Sequence, residues 1–168
     1  MMADRLPELV IASSCSKNFG LYRERTGSIT FITETPEQAD IVAAQAMSVA
    51  RQIYSMPPAH GALLVSLILG DKQLRANWEA ELTEVRTRIQ SMRSLLADNI
   101  QQNAAGIDFS HIKQQKGMFS FLGLNTAQLD QLRDEFGIYI VSSSRVNLAG
   151  INSSNIDYLS DSIISVLK

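Results

Sequence analysis

From Lys72 onward, Leu74, Trp78, Leu82, Val85, Ile89, Met92, Leu96 and Ile100 recur every three or four residues, while Glu79, Glu81, Glu84, Arg86, Arg88 and Arg93 fall largely between them. Residues at that spacing share one face of an α-helix, so the pattern predicts a single amphipathic helix of roughly thirty residues with its charges turned to solvent. Globular helices average about 10–14 residues, and one this long often runs between domains. The chain is therefore expected to carry two packed bodies on one helix, with the boundary inside it near residue 85.

The segments before that helix read as two strands and two helices. Leu6 to Ala12 is a short apolar, β-branched run that breaks into Ser13-Ser14-Cys15-Ser16, the pattern of a buried strand emerging into a loop. Gly27 to Ile32 suggests a second strand. Thr35-Pro36-Glu37-Gln38 supplies an N-cap, a proline at the first helical position and a glutamine three residues after the cap, so a helix from Pro36 to about Tyr54 follows. Met56-Pro57-Pro58 interrupts it, because neither proline donates a backbone hydrogen bond. A short apolar helix from about Ala59 to Gly70 reads as buried.

After Gly106 the elements shorten and alternate. Strands are expected at Met118–Phe121, Ile138–Val141 and Arg145–Leu148. Asn125 caps a helix with Leu129, Leu132 and Phe136 inward and Gly137 at its end; Asn152 caps a last helix with Ile156, Leu159, Ile163 and Val166 inward. Strands alternating with helices indicate an α/β or α+β layer. Two strands before the long helix are too few for a self-sufficient sheet, so residues 1–85 read as the end of a larger domain and residues 86–168 as a small α/β domain.

Composition narrows the function classes. A formal net charge of -2 argues against a nucleic-acid or anionic-membrane partner, since either calls for a clustered basic surface. The longest apolar stretch, around Ala62 to Leu69, is too short to span a bilayer. The N-terminal Met1-Met2-Ala3-Asp4-Arg5 has neither a secretory nor a transit pattern, and one cysteine, Cys15, fits a reducing compartment; both point to the cytoplasm. His60 and His111 lack partners at ligand spacing, so no metal site is expected.

The segment from Ser14 to Gly27 carries the chemistry. Lys17 lies just past a strand end, where α/β folds place ligands and reactive groups. Burial and nearby cations favour a neutral lysine amine, which attacks carbonyl carbon. The hydroxyls of Ser14 and Ser16 and the planar fork of Arg25 offer what a phosphate dianion needs. Taken singly, Lys17 also reads as a solvated surface charge, Arg25 as a partner of Glu24, and Cys15 as a small packed side chain.

Ser14-Cys15-Ser16-Lys17-Asn18-Phe19-Gly20-Leu21-Tyr22-Arg23-Glu24-Arg25-Thr26-Gly27 closely resembles the pyridoxal-phosphate (PLP) lysine motif of aspartate and aromatic amino-acid aminotransferases, in the fold-type I class. Three further stretches resemble family motifs in the same order: Arg51 to Gly61, Gly117 to Phe121, and Arg145 to Gly150. The resemblance covers essentially the whole chain. It implies the C-terminal part of a PLP-dependent transferase fold, the remnant of the large domain joined by the long helix to the small one.

On that resemblance Lys17 would bind PLP covalently and then shuttle a proton at the substrate α-carbon. Ser14 and Arg25, with Ser16, would hold the phosphate. Arg145 would clamp the substrate α-carboxylate, Phe119 would line the pocket, and Arg51 would reach a neighbouring subunit's site to bind a side-chain carboxylate. Read without the resemblance, Arg145 could be a structural ion-pair partner, Arg51 could complement a helix dipole, and Phe119 belongs to a core. The implied reaction is transamination between an aspartate-like or aromatic amino acid and a 2-oxo acid such as 2-oxoglutarate, in a homodimer. Family members are considerably longer, and the groups that bind the pyridine ring are expected in a portion not spanned here. The chain alone is therefore expected to turn over little or no substrate; the alternatives are an inert association module or a PLP-dependent decarboxylation or β-elimination.

Overall fold

The computed structural model describes residues 2–104 and 106–168. Met1, from which the N-terminal reading and the first domain were counted, lies outside the described residues. The chain divides into two compact units, Met1–Ala80 and Glu81–Lys168, so the division falls five residues before the expected one, inside the same helix.

In the first unit, β1 (Leu9–Ser14) and β2 (Gly27–Ile32) form an antiparallel hairpin in which Leu9 faces Ile32 and Ser14 faces Gly27. Gly27 is required by the close approach of the two strands: a Cβ there would stand 2.3 Å from the Ser13 carbonyl oxygen. Helix α1 (Pro36–Tyr54) opens as its sequence predicts. Thr35 accepts from the Gln38 backbone N–H, and the Gln38 side chain reaches back to the N-cap backbone. It ends at Ser55, whose φ is 63°. Helix α2 (His60–Gly70) follows, and the Asp71 carboxylate separates it from α3 (Lys72–Asn103) by accepting from the Gln73 and Leu74 N–H groups.

Two expectations for this unit are corrected. The first strand begins at Leu9, not Leu6, includes both serines and is largely exposed, with Val10 at 59%. Helix α2 is apolar yet buries only Gly61. A two-stranded ribbon presents two faces and cannot cover both, so apolar character here does not become burial within the chain.

The second unit holds every buried hydrophobic side chain among the described residues, from Ile89 to Val166. Its elements are the C-terminal part of α3, α4 (Ser110–Lys113), β3 (Phe119–Phe121), α5 (Thr126–Phe136), β4 (Arg145–Asn147), a 3-10 turn at Leu148–Gly150 and α6 (Ile156–Leu167). Strands β3 and β4 pair antiparallel, with Phe121 facing Arg145 and Phe119 facing Asn147. Helix α5 has the expected Asn125–Gln128 capping box and closes on Gly137 in the left-handed region, φ 64°. The mixed α/β class expected from the sequence is observed, as two antiparallel strand pairs among helices.

Three corrections belong to this unit. Ile138–Val141 is not a strand: Ile138 N–H is spent on the Leu132 carbonyl at the helix end, and the segment has no ladder partner. Asn155, not Asn152, precedes α6; Asn152 instead forms a turn that accepts from Ser154 and Ile156. Arg93, expected on the solvent side of α3, is 3% exposed, because it lies on the same stripe as Ile89, Leu96, Ala97 and Ile100. It donates to Ser120 Oγ at 3.2 Å and to the Gly117 carbonyl. No helix among the described residues is long and apolar enough to cross a membrane.

Candidate active site

The loop joining β1 to β2 carries four of the candidate residues. Its base is closed by the Cys15 N–H donating to the Thr26 carbonyl at 3.0 Å. Beyond it the backbone turns tightly, with Phe19 N–H on the Cys15 carbonyl and Gly20 N–H on the Lys17 carbonyl, and with Gly20 at φ 67°. Ser14 Oγ donates to Ser16 Oγ at 3.0 Å and accepts from the Ser16 N–H at 3.2 Å, while Ser16 itself is buried. The two hydroxyls thus form one small donor cluster at the strand end.

Tyr22 lies between Lys17 and Arg25. Lys17 Nζ lies 5.8 Å from the Tyr22 ring centroid, and Arg25 Nη1 donates to the Tyr22 carbonyl at 3.0 Å. The first contact is within cation–π range. Arg25 adopts φ 52°, an uncommon conformation for a side-chain-bearing residue and one met at functional turns. Lys17 and Arg25 are both exposed, so the burial expected around the lysine is absent from this chain. Nor does Arg25 pair with Glu24, whose carboxylate instead lies 3.1 Å from His60 Nδ1 at the start of α2.

Two more contacts hold this loop. Gly61 is packed so closely against it that a Cβ would meet Thr26 Oγ1 at 1.9 Å and Glu24 Cβ at 2.8 Å. Trp78 on α3 stacks on Phe19, with centroids 4.5 Å apart and planes inclined by 11°, and donates from Nε1 to the Asn18 carbonyl at 2.7 Å. Trp78 had been legible only as one member of an apolar stripe. The signal that separates it from the others is its N–H, which a half-buried indole has to satisfy.

Arg51 stands exposed in the last turn of α1, placed to complement the helix dipole; among the described residues no carboxylate is paired with it. Arg145 and Phe119 belong to the second unit and are brought together there: the guanidinium carbon is 4.7 Å from the ring centroid. Phe121 faces Arg145 directly, and Phe119 is its diagonal neighbour on the paired strand, the geometry that lets a long side chain lie across a ring. No ion pair engages Arg145 among the described residues. Phe119 is half-buried, so it serves packing and a surface at once.

The turn that presents Arg145 is rigidly built. Ser144, at φ 59° and buried, accepts at Oγ from the Leu124 N–H at 2.9 Å, and its carbonyl accepts from Leu122. Beyond the strand, Arg88 donates to the Ala149 and Ile151 carbonyls at 2.8 and 2.9 Å. The sequence reading had left Arg88 among the solvated charges. Grooves exist elsewhere in each unit, one of about 560 Å³ along α2 lined by Leu63, Ser66, Leu67, Gly70 and Asp71, but none of the candidate residues lines it.

The comparisons with known proteins identify the family. Residues 2–163 match the family model described as "Aminotransferase class I and II". The chain belongs to this family. It is 50% identical over 160 residues to an aspartate aminotransferase of Haemophilus influenzae, covering 95% of this chain and 40% of that protein. It is 41% identical to an aromatic-amino-acid aminotransferase of Pseudomonas aeruginosa, covering 99% and 42%. The structure of an aromatic-amino-acid aminotransferase from Burkholderia pseudomallei, covalently bound to pyridoxal phosphate, superposes with a TM-score of 0.88 at 44% identity, covering 95% and 40%. The chain thus spans about two fifths of the length of these relatives. Class I and II aminotransferases are PLP-dependent enzymes.

Proposed function

We propose that this chain is the lysine-bearing C-terminal part of a PLP-dependent aminotransferase acting on an aspartate-like or aromatic amino acid and a 2-oxo acid such as 2-oxoglutarate. The observation that carries the reading is the placement of the Ser14–Ser16 hydroxyl pair at the end of β1 and of Lys17 and Arg25 on the loop that follows, with the Tyr22 ring 5.8 Å from the Lys17 amine and the Tyr22 carbonyl accepting from Arg25, in a member of the family. The first unit is then the remnant of the PLP-binding domain and the second the small domain, and the complete enzyme is a cytoplasmic homodimer.

Each residue has a task that follows from its chemistry. Lys17 Nζ would hold the cofactor through its aldehyde carbon and, once displaced by substrate, would serve as the base that takes the proton from the substrate α-carbon. Arg25 and the serine hydroxyls bind the phosphate through charge-assisted hydrogen bonds. Arg145 binds the α-carboxylate in a bidentate manner, and Phe119 beneath it limits the orientations of the guanidinium. Arg51 reaches a neighbouring subunit and binds the second carboxylate of a dicarboxylic substrate. The two arginines favour transamination over decarboxylation or elimination because they match a two-carboxylate substrate. When bound, PLP supplies an electron sink for the α-carbon, which the protein tunes through contacts to the ring.

Titrating the chain with PLP is expected to produce a bound-cofactor absorption band in the wild type and none in Lys17→Ala; no band in either would sink the reading. A second reading, an inert association module, is favoured by one observation: Ile41, Ile53, Leu63 and Leu67 are each more than 60% exposed. It predicts self-association or capture of a partner chain without any cofactor band.

A further inference from the structure

We infer that Trp78 is a positioning residue for Lys17: its indole fixes the backbone next to the cofactor lysine and so sets where the amine is presented. This inference rests on the reading of Lys17 as that lysine. The contact is directional on two counts. The indole N–H donates to the carbonyl of Asn18, the residue directly after Lys17, at 2.7 Å, and the ring lies parallel to Phe19, the next residue along. One side chain thus holds two consecutive residues of the loop, sixty positions away in sequence.

The loop needs such a hold because its own hydrogen bonds are few. Lys17 is exposed, and its amine lies 5.8 Å from the Tyr22 ring centroid, at the outer limit of a cation–π contact. The turn is closed within itself by the Phe19 and Gly20 N–H groups, at 3.3 and 3.4 Å, both long, and Gly20 adds conformational freedom at the adjacent position. These two bonds join the turn only to itself and to Cys15. Trp78 ties it to a distant element, because it grips the Asn18 carbonyl and the Phe19 ring from the long helix α3. A merely structural tryptophan would fill space; this one spends its single donor on the lysine's neighbour.

The test uses the full chain and PLP itself. PLP is added, the adduct is fixed with borohydride, and the fraction labelled at Lys17 is read by peptide mass spectrometry against the other four lysines, Lys72, Lys113, Lys116 and Lys168. Trp78→Phe keeps a ring for Phe19 and removes the donor; Trp78→Leu removes both. Wild type is expected to label first at Lys17. The PLP concentration for half-labelling at Lys17 is expected to rise roughly two- to tenfold in Trp78→Phe, the range one net hydrogen bond spans, and further in Trp78→Leu. Labelling of the other lysines stays unchanged. Amide exchange over residues 16–20 quickens in the same order, while exchange in α1 does not.

Equal Lys17 labelling in wild type and Trp78→Phe overturns the positioning role and leaves the cofactor reading standing. No preference for Lys17 in wild type overturns the cofactor reading and the inference with it. A variant that loses folding is bypassed in the wild type, where Trp78 is the sole tryptophan: its emission is expected to change in step with labelling of Lys17 and to stay constant in Lys17→Ala. Emission indifferent to Lys17 labelling overturns the proposal.

Discussion

Gly61 and Arg93 show how much one position decides in each unit. A methyl group at Gly61 would fall 1.9 Å from Thr26 Oγ1, inside the loop that carries Arg25. Gly61→Ala is therefore expected to cost about 1–3 kcal/mol through forced displacement, measurable as a lower urea midpoint. It is also expected to weaken cofactor binding, because the atoms that must move belong to Glu24 and Thr26. Arg93 is the opposite case, a buried cation whose partners are neutral: the Ser120 hydroxyl and the Gly117 carbonyl. Burial alone pulls its pKa below the ordinary guanidinium value. Arg93→Met leaves the buried Ser120 hydroxyl without its partner, whereas the exposed Gly117 carbonyl can turn to water, and is expected to cost about 1–3 kcal/mol. Adding Ser120→Ala should recover part of that loss, because one unpaired group then disappears; a fully additive double mutant in denaturant titrations would contradict this account. Neither effect was legible beforehand. The contacts of Gly61 lie with residues more than thirty positions away, and the charge of Arg93 masks its place on the buried stripe.

At the scale of elements, what neighbours determine was legible and what distant partners determine was not. The Thr35–Gln38 and Asn125–Gln128 boxes were written in four consecutive residues each, and both formed. Glu37 belongs to the first of them. Its carboxylate accepts from its own backbone N–H and from Thr35, which holds it below the usual carboxylate range. A carboxylate with a lowered pKa in the folded chain stabilises it above the unfolded-state value, and that contribution disappears as pH falls through the folded value. Helix α1 is thus expected to fray on acidification below the carboxylate range, and Glu37→Gln should flatten this dependence when residues 36–40 are followed by NMR. The strand expected at Ile138–Val141 failed for the converse reason. Its composition suits a sheet, but a strand exists only with a ladder partner, and its first N–H is already engaged by Leu132. The same holds for β1 and α2, whose apolar residues met no covering layer.

For the molecule as a whole, the uneven distribution of core is the main fact. Every buried hydrophobic side chain among the described residues lies between Ile89 and Val166, so the second unit has the means to hold itself together, whereas the first relies on a ribbon and amphipathic helices. Denaturation is expected to be non-coincident: Trp78 emission, which reports the first unit, should change at lower urea than the far-UV signal of the second. A single superimposable transition would show the units to be one cooperative body. Because the chain spans about two fifths of its relatives, the purified polypeptide is further expected to show little or no steady-state transamination of aspartate or phenylalanine with 2-oxoglutarate. Turnover near that of a complete family enzyme would refute this. What the linear order of residues settled was membership of the family, the helix that links the units, the Thr35 and Asn125 caps and most element bounds, all of which depend on spacing along the chain. Only the three-dimensional arrangement decided that Arg93 is buried, that Arg88 and Trp78 grip distant carbonyls and that Arg145 lies over Phe119. Each of those contacts joins residues at least 24 positions apart, and the burial and partners they need come from the folded chain, beyond the reach of any local pattern.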